Sequence, residues 1–319
     1  TKQGETRVAG SAAAKAILLG EHAVVYGRPA VAVPLTDLRA TVDVRPTRPG
    51  SGVDIHAEDL GKTYRLDAEY PDRAAEALQA TVRHALEQIA LAPHTSDVAI
   101  AVRSRIPVAC GLGSGTAVAT AIVRGLACYR CRTLTPEVVS EIVYRTEVIL
   151  HGTPSGVDNT VVAYERPVWF RRGAPPELLS LGAPLTLVVA DTGSAANTRE
   201  AVEGVRRRWE ADRAGVEAVF DAIGALANAG REALIAGDAT RLGDLMARNH
   251  EHLGALGVST PALDALVAAA RDAGALGAKL SGGGRGGCAI ALTTTERRDV
   301  VAAAMEGAGA ARVFVTEVR

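Results

Sequence analysis

Apolar positions along the chain change their spacing several times, and each change predicts an element. Residues 15–19, 39–45 and 97–102 are rich in Val, Ile and Ala with partial alternation, which predicts strands. From Ala74 to Leu91 the apolar residues recur at helical spacing. Thr135–Pro136–Glu137 combines an N-cap residue, a proline for the first helical position and an acid for the first turn. It predicts a helix through Val139, Ile142, Val143 and Thr146 that stops near His151–Gly152. A polar loop, Thr153 to Asn159, follows, and then an expected strand at Thr160–Ala163. Arg171 to Pro184, rich in Pro, Gly and Arg, reads as a connection between lobes. Leu185 to Asp191 reads as a strand. Helical patterns over 198–230, 239–255 and 260–274 come next, with strands at 288–292 and 312–318.

Length and composition turn this pattern into an architecture. The 319 residues suit two lobes, expected at 1–184 and 185–319, of α+β or mixed type. Hydrophobic residues make up 48% but aromatics only 3%, so the core must be built from Ala, Val, Leu and Ile. A formal net charge of −1 supplies no field for nucleic acid or an anionic membrane, and neither is an expected partner. No long unbroken apolar run predicts a membrane span. The first residues, TKQGETRVAGSAAAK, do not read as a signal peptide. Of the four cysteines, Cys128 and Cys131 form a lone CxxC without a second pair, and Cys110 and Cys288 stand apart. Reduced thiols in a cytoplasmic protein are the expected state.

Four segments carry candidate chemistry. Lys15 opens an apolar strand that ends in a Gly-Glu-His corner, Gly20–Glu21–His22, which puts a carboxylate beside an imidazole. Ile106 to Thr116 is a glycine-rich loop between a predicted strand and a helical pattern. Its backbone can approach a phosphate closely, and the helix N-terminus adds positive potential there. No lysine follows the glycines, so it is not a P-loop, and a tight structural turn would use the same glycines. In the loop His151 to Asn159, Asp158 can accept a proton from a substrate hydroxyl if a cation orients it, and Lys15 is the candidate cation. Glu147 lies near a helix C-terminus, where the dipole disfavours it. It reads as either a Mg²⁺ ligand or a surface glutamate. A second glycine run, Gly277 to Cys288, reads as backbone passing close to a ligand, or as a hinge.

Together these motifs resemble the GHMP kinase superfamily, named for galactokinase, homoserine kinase, mevalonate kinase and phosphomevalonate kinase. All three diagnostic motifs occur in order across nearly the whole chain. LLGEHAVVYGRPAVAVPL, HGTPSGVDN and Asn197–Thr198–Arg199 look most like the mevalonate kinase branch. The resemblance implies an α+β, two-lobed fold with the active site, and ATP, in the interlobe cleft. By position Asp158 matches the catalytic base and Lys15 the lysine that contacts it and the phosphates. Glu147 matches the Mg²⁺ carboxylate. Ser104 and the loop Ala109, Cys110, Gly111, Leu112, Gly113, Ser114, Gly115 with Thr116 match the nucleotide-binding stretch. Glu21, His22 and Thr198 match positions near the mevalonate site.

Two positions depart from the family pattern. Gly115 stands where a second serine usually helps to hold Mg²⁺, so Thr116 or Ser114 must take over, or the metal is held less fully. Arg285 stands where the third motif usually has glycine, and its guanidinium could reach a phosphate or point to solvent. The implied reaction is ATP- and Mg²⁺-dependent phosphorylation of the primary hydroxyl of mevalonate, by a chain for which a homodimer is allowed. Phosphorylation of another small alcohol, such as phosphomevalonate or a sugar, and ligand sensing on a non-catalytic kinase scaffold are the alternatives. Arg206–Arg207–Arg208 reads as a solvated helix face, Trp169 and Trp209 as packing residues. His250 and His252 lie two apart on a predicted helix and are poor joint metal ligands.

Overall fold

A computed structural model of the chain describes residues 10–90, 96–196 and 198–319. Asn197, Leu91 and the first nine residues, on which the signal-peptide reading partly rests, lie outside the described residues. The chain forms two compact units. The first draws on residues up to 14, 38–106 and 114–164, the second on 15–37, 107–113 and 165–319. These bounds differ from the single division after residue 184 that the sequence suggests. Three stretches before residue 184 fold with the second unit, because strands β1 (Gly10–Leu19) and β2 (Ala30–Pro46) each pass from one unit into the other.

In the first unit the far half of β2 pairs antiparallel with β5 (Val98–Ser104), from Ala40↔Ser104 to Pro46↔Val98. β3 (Val53–Ala57) runs parallel to β5, and β4 (Lys62–Arg65) pairs antiparallel with β3. Four helices accompany these strands: α1 (Arg73–Gln88), α2 (Ser114–Tyr129), α3 (Pro136–His151) and α4 (Val157–Tyr164). α1 starts where Asp72 accepts the Ala75 amide at 2.7 Å, and it buries Ala75, Val82, Ala85 and Leu86. Thr81 and Thr146 join α1 to α3 through a hydroxyl pair 2.7 Å apart. α3 begins at Pro136 after Thr135 and ends at Gly152, as its punctuation predicts.

The expected strand at Thr160–Ala163 is instead part of α4, so Asp158 sits in a first helical turn rather than in a loop. The β-branched run Thr160–Val161–Val162 suggests a strand, but burial decides against it. Val157, Thr160, Val161, Val162 and Ala163 are all buried, and the Thr160 hydroxyl donates back to the Gly156 carbonyl at 2.6 Å.

The second unit centres on a four-stranded antiparallel sheet. β10 (Cys288–Thr293) lies between β8 (Leu185–Asp191) and β9 (Gly277–Ser281), and β11 (Arg312–Val318) flanks β8. The start of β2 pairs with β6 (Val168–Phe170), which pairs with β7 (Glu177–Leu178) inside the expected connection. α5 (Thr198–Ala211), α6 (Arg213–Ala236), α7 (Ala239–Ala255), α8 (Pro261–Asp272) and α9 (Arg298–Gly307) complete the unit. The helical pattern over 198–230 is broken at Asp212, whose carboxylate accepts the Gly215 amide at 3.0 Å and opens α6. Phe220, Ile223, Leu253, Leu263, Leu280, Ala289 and Met305 form the core of this unit. Among the described residues no helix is long and apolar enough to cross a membrane.

Candidate active site

β1 carries Lys15, 2% exposed, and turns into the Gly20–Glu21–His22 corner. Glu21 is 1% exposed and fully engaged by protein groups. The Lys279 ammonium pairs with one of its oxygens, and the Asn249 amide donates to the other at 3.0 Å. Lys279, wholly buried on β9, also donates to the Ile17 carbonyl at 3.3 Å and to that of Leu280. Burial pulls its pKa down, against the opposing pull of the Glu21 carboxylate. His22 sits at φ 61°, and its Nε2 donates to the Gly283 carbonyl at 2.9 Å. Burial, aided by the nearby Lys279 charge, lowers its pKa to about 4, so the imidazole is neutral at pH 7. The corner is thereby fastened to the third motif by an ion pair and a hydrogen bond.

The tip of the first glycine-rich loop joins the same assembly. The Lys15 amide donates to the Leu112 carbonyl at 3.0 Å, and a Cβ at Gly113 would stand 3.0 Å from Lys15 Cγ. A side chain there would press on the lysine stem and would also need a left-handed backbone, at φ 71°. Gly111 and Gly282 meet backbone to backbone: a Cβ on Gly111 would fall 2.7 Å from the Ser281 carbonyl, and one on Gly282 2.8 Å from Gly111 Cα. The Cys288 amide donates to the Cys110 carbonyl at 3.1 Å, and that of Ala196 to Ala109 at 2.7 Å. Thr198, the first residue of α5, abuts Gly283, where a Cβ would lie 3.0 Å from Thr198 Cα. Arg285 turns toward α5. At φ 57° its amide donates to Val258, and its guanidinium bonds Glu200 of α5 at 3.3 Å. Lys15, the corner, the loop tip, Thr198 and the third motif thus gather within the second unit.

The first unit holds Glu147 and Asp158. α2 begins at Ser114, and its Thr116 hydroxyl donates to Glu147 Oε1 at 2.7 Å. Thr116 is 2% and Glu147 3% exposed, which removes the surface-glutamate reading. His151 Nε2 lies 3.5 Å from the other Glu147 oxygen. The hydroxyl placed on Glu147 is therefore that of Thr116. At Gly115 a Cβ would meet Leu150 at an ordinary 3.6 Å, so space does not dictate the missing serine. Asp158, half-buried, occupies the first turn of α4, where the helix dipole favours a carboxylate. Ser104 ends β5, and its hydroxyl accepts the Ile106 amide at 3.2 Å.

A model of the GHMP kinase N-terminal domain matches residues 70–166, and one of the GHMP kinase C-terminal domain matches residues 231–311. The chain belongs to the GHMP kinase family. The mevalonate kinase of Pyrococcus abyssi is 38% identical to this GHMP kinase, covering 93% of this chain and 91% of that protein. The mevalonate kinase of Thermococcus sibiricus is also 38% identical, covering 95% and 94%. Among solved structures, the L. major mevalonate kinase in complex with R-mevalonate superposes with a TM-score of 0.82 at 27% identity, covering 99% of both chains.

As a GHMP kinase the chain is an ATP-dependent small-molecule kinase with mixed helices and sheets in two domains. Two residues of this kinase escaped sequence reasoning. Lys279 was legible only as a lone cation in an otherwise apolar run before the glycines, and Asn249 only as a polar residue on a helix. The oxygen donors Thr116 and Glu147 suit a hard divalent cation.

Proposed function

We propose that this GHMP kinase is a mevalonate kinase, which transfers the terminal phosphoryl group of ATP to the primary hydroxyl of mevalonate to give 5-phosphomevalonate. The observation that carries this reading is identity of 36–38% with curated mevalonate kinases over nearly the full length of the chain. Asp158 is assigned as the base that takes the hydroxyl proton, favoured as a carboxylate by the N-terminus of α4. Lys15, held by its amide on Leu112 and by its stem across Gly113, is assigned to the charge that develops on the transferring group. Backbone amides of Ala109 to Gly115 and the start of α2 would hold the phosphates, and Ser104 is assigned to the same nucleotide. Mg²⁺, when bound, would offset phosphate charge, with Glu147 and Thr116 as the donors we assign to it and Ser114 as a further hydroxyl. Glu21, through its pair with Lys279, and His22, through Gly283, hold the corner beside Thr198, where mevalonate is expected. Four free cysteines fit a reducing, cytoplasmic setting.

The test is a coupled ADP-release assay with mevalonate, galactose, homoserine and phosphomevalonate in parallel. Mevalonate is expected to give by far the highest kcat/KM. Strong turnover of another acceptor with none of mevalonate would overturn the substrate. Tight ATP binding with no turnover of any acceptor would point to a sensor.

A further inference from the structure

Two thiols that the transfer reaction does not use stand together beside the loop tip. Cys110 belongs to that tip, and Cys288 begins β10 opposite Asp191 at the end of β8. The two sulfurs and an Asp191 oxygen lie within 4.8 Å of one another. All three residues are buried, at 3%, 0% and 2% exposure. The backbone adds a tie, since the Cys288 amide donates to the Cys110 carbonyl at 3.1 Å.

Two thiols and a carboxylate could suggest a soft metal ion, but the carboxylate is already taken. Asp191 Oδ2 accepts two Arg312 bonds, at 3.1 and 2.6 Å, and Oδ1 accepts the Gly193 amide at 2.9 Å. A fixed guanidinium next to the sulfurs also opposes a cation. What remains is a close pair of thiols.

We propose that Cys110 and Cys288 form a reversible oxidation site, in which peroxide converts the two thiols to a disulfide that withdraws kinase activity. Cys110 attacks first. Its sulfur takes one oxygen of hydrogen peroxide, the O–O bond breaks, and water leaves behind a sulfenic acid. The Cys288 sulfur then attacks the Cys110 sulfur. The S–S bond forms, the S–O bond breaks, and the hydroxide departs as water with the Cys288 proton. Two thiols lose two electrons and one peroxide becomes two waters. The hydrogen bond to Cys110 and burial push the Cys288 thiol up, which disfavours Cys288 as the thiol that meets peroxide first.

A disulfide is about 2 Å long, well inside the separation of two unbonded sulfurs. Closing it draws the loop that carries Gly111 and Gly113 toward β10 and disturbs the Leu112 carbonyl on which Lys15 rests. A shift of about 1 Å in such a positioning group costs on the order of 100-fold in rate. Because both sulfurs are buried, the site responds to sustained peroxide rather than to a brief pulse.

The test treats the full chain with hydrogen peroxide, alkylates the remaining thiols and maps the peptides by mass. The expected result is a linked Cys110–Cys288 peptide pair lacking two hydrogens. A fall in activity of about 10- to 100-fold should accompany it and reverse with dithiothreitol. Cys288→Ala, compared with its own reduced state, should resist peroxide, while Cys128→Ser/Cys131→Ser should respond like the parent. Full alkylation of Cys110 and Cys288 after inactivation would overturn the proposal. So would a Cys128–Cys131 link that tracks the loss, a Cys110–Cys288 link with unchanged activity, or no link in excess peroxide. The mass readout holds whichever alcohol the kinase accepts.

Discussion

Glu21 and Glu147 are both buried carboxylates, yet the neighbours the structure gives them differ in kind. Glu21 faces a buried ammonium and an amide, so its charge is answered inside the protein. Glu147 accepts the Thr116 hydroxyl at 2.7 Å and lies 3.5 Å from the His151 imidazole. A buried carboxylate answered by an ammonium loses most when that cation is removed, whereas one that accepts a hydroxyl can keep that bond when its charge is removed.

The contrast is sharpest where chemistry is removed without disturbing structure. Asp158→Asn should cut kcat by about 10²- to 10⁴-fold while ATP still binds, measured by ADP release and by nucleotide titration. Near-normal turnover would remove Asp158 as the base. Next in size is the buried pair. Lys279→Met leaves the Glu21 charge without its cation and should cost about 3–5 kcal/mol in urea unfolding. Glu147→Gln keeps an acceptor for Thr116 and should change stability by no more than about 1 kcal/mol. Its cost should appear instead as a magnesium affinity at least about 10-fold weaker in a metal titration of turnover. Equal stability losses for the two variants would erase the distinction.

A smaller effect concerns pH. As pH falls below 6.5, the ordinary histidine value, the unfolded chain binds a proton at His22 that the folded chain refuses until about pH 4. Stability is therefore fully present above pH 6.5 and lost toward pH 4, by about 3 kcal/mol from this group. His250, also held low by burial, adds in the same direction. His22→Asn, a residue that tolerates positive φ, should flatten the His22 part of the slope in unfolding curves taken at successive pH values. The smallest expected change is at Arg285. Arg285→Gly relieves a left-handed backbone worth about 1 kcal/mol and loses a surface ion pair worth less, so a thermal melt should rise slightly.

Much of the fold is visible in the order of residues because caps and alternation are local. β8 at 185–191, β11 at 312–318 and α7 at 239–255 occupy the ranges that their patterns predict. α4 is misread because propensity is local and burial is not. The choice between Ser114 and Thr116 is not legible either. Residues two apart on a helix point to nearly opposite sides, and only the packing of α2 on α3 says which side meets Glu147. The Glu21–Lys279 pair joins residues 258 positions apart, beyond any spacing rule. The motifs themselves were legible because each concentrates unusual residues in a short stretch.

Gly111 and Gly282 each occupy the volume that a side chain on the other's segment would need, and both lie at positive φ. Neither substitution can be rescued by its neighbour, because the neighbour has nothing left to remove. A library of all single replacements should return almost no survivors at these two sites, yet many at Gly115, where open contact distance leaves room for a new methyl group. Change in this glycine-rich loop is thereby left to the helix start.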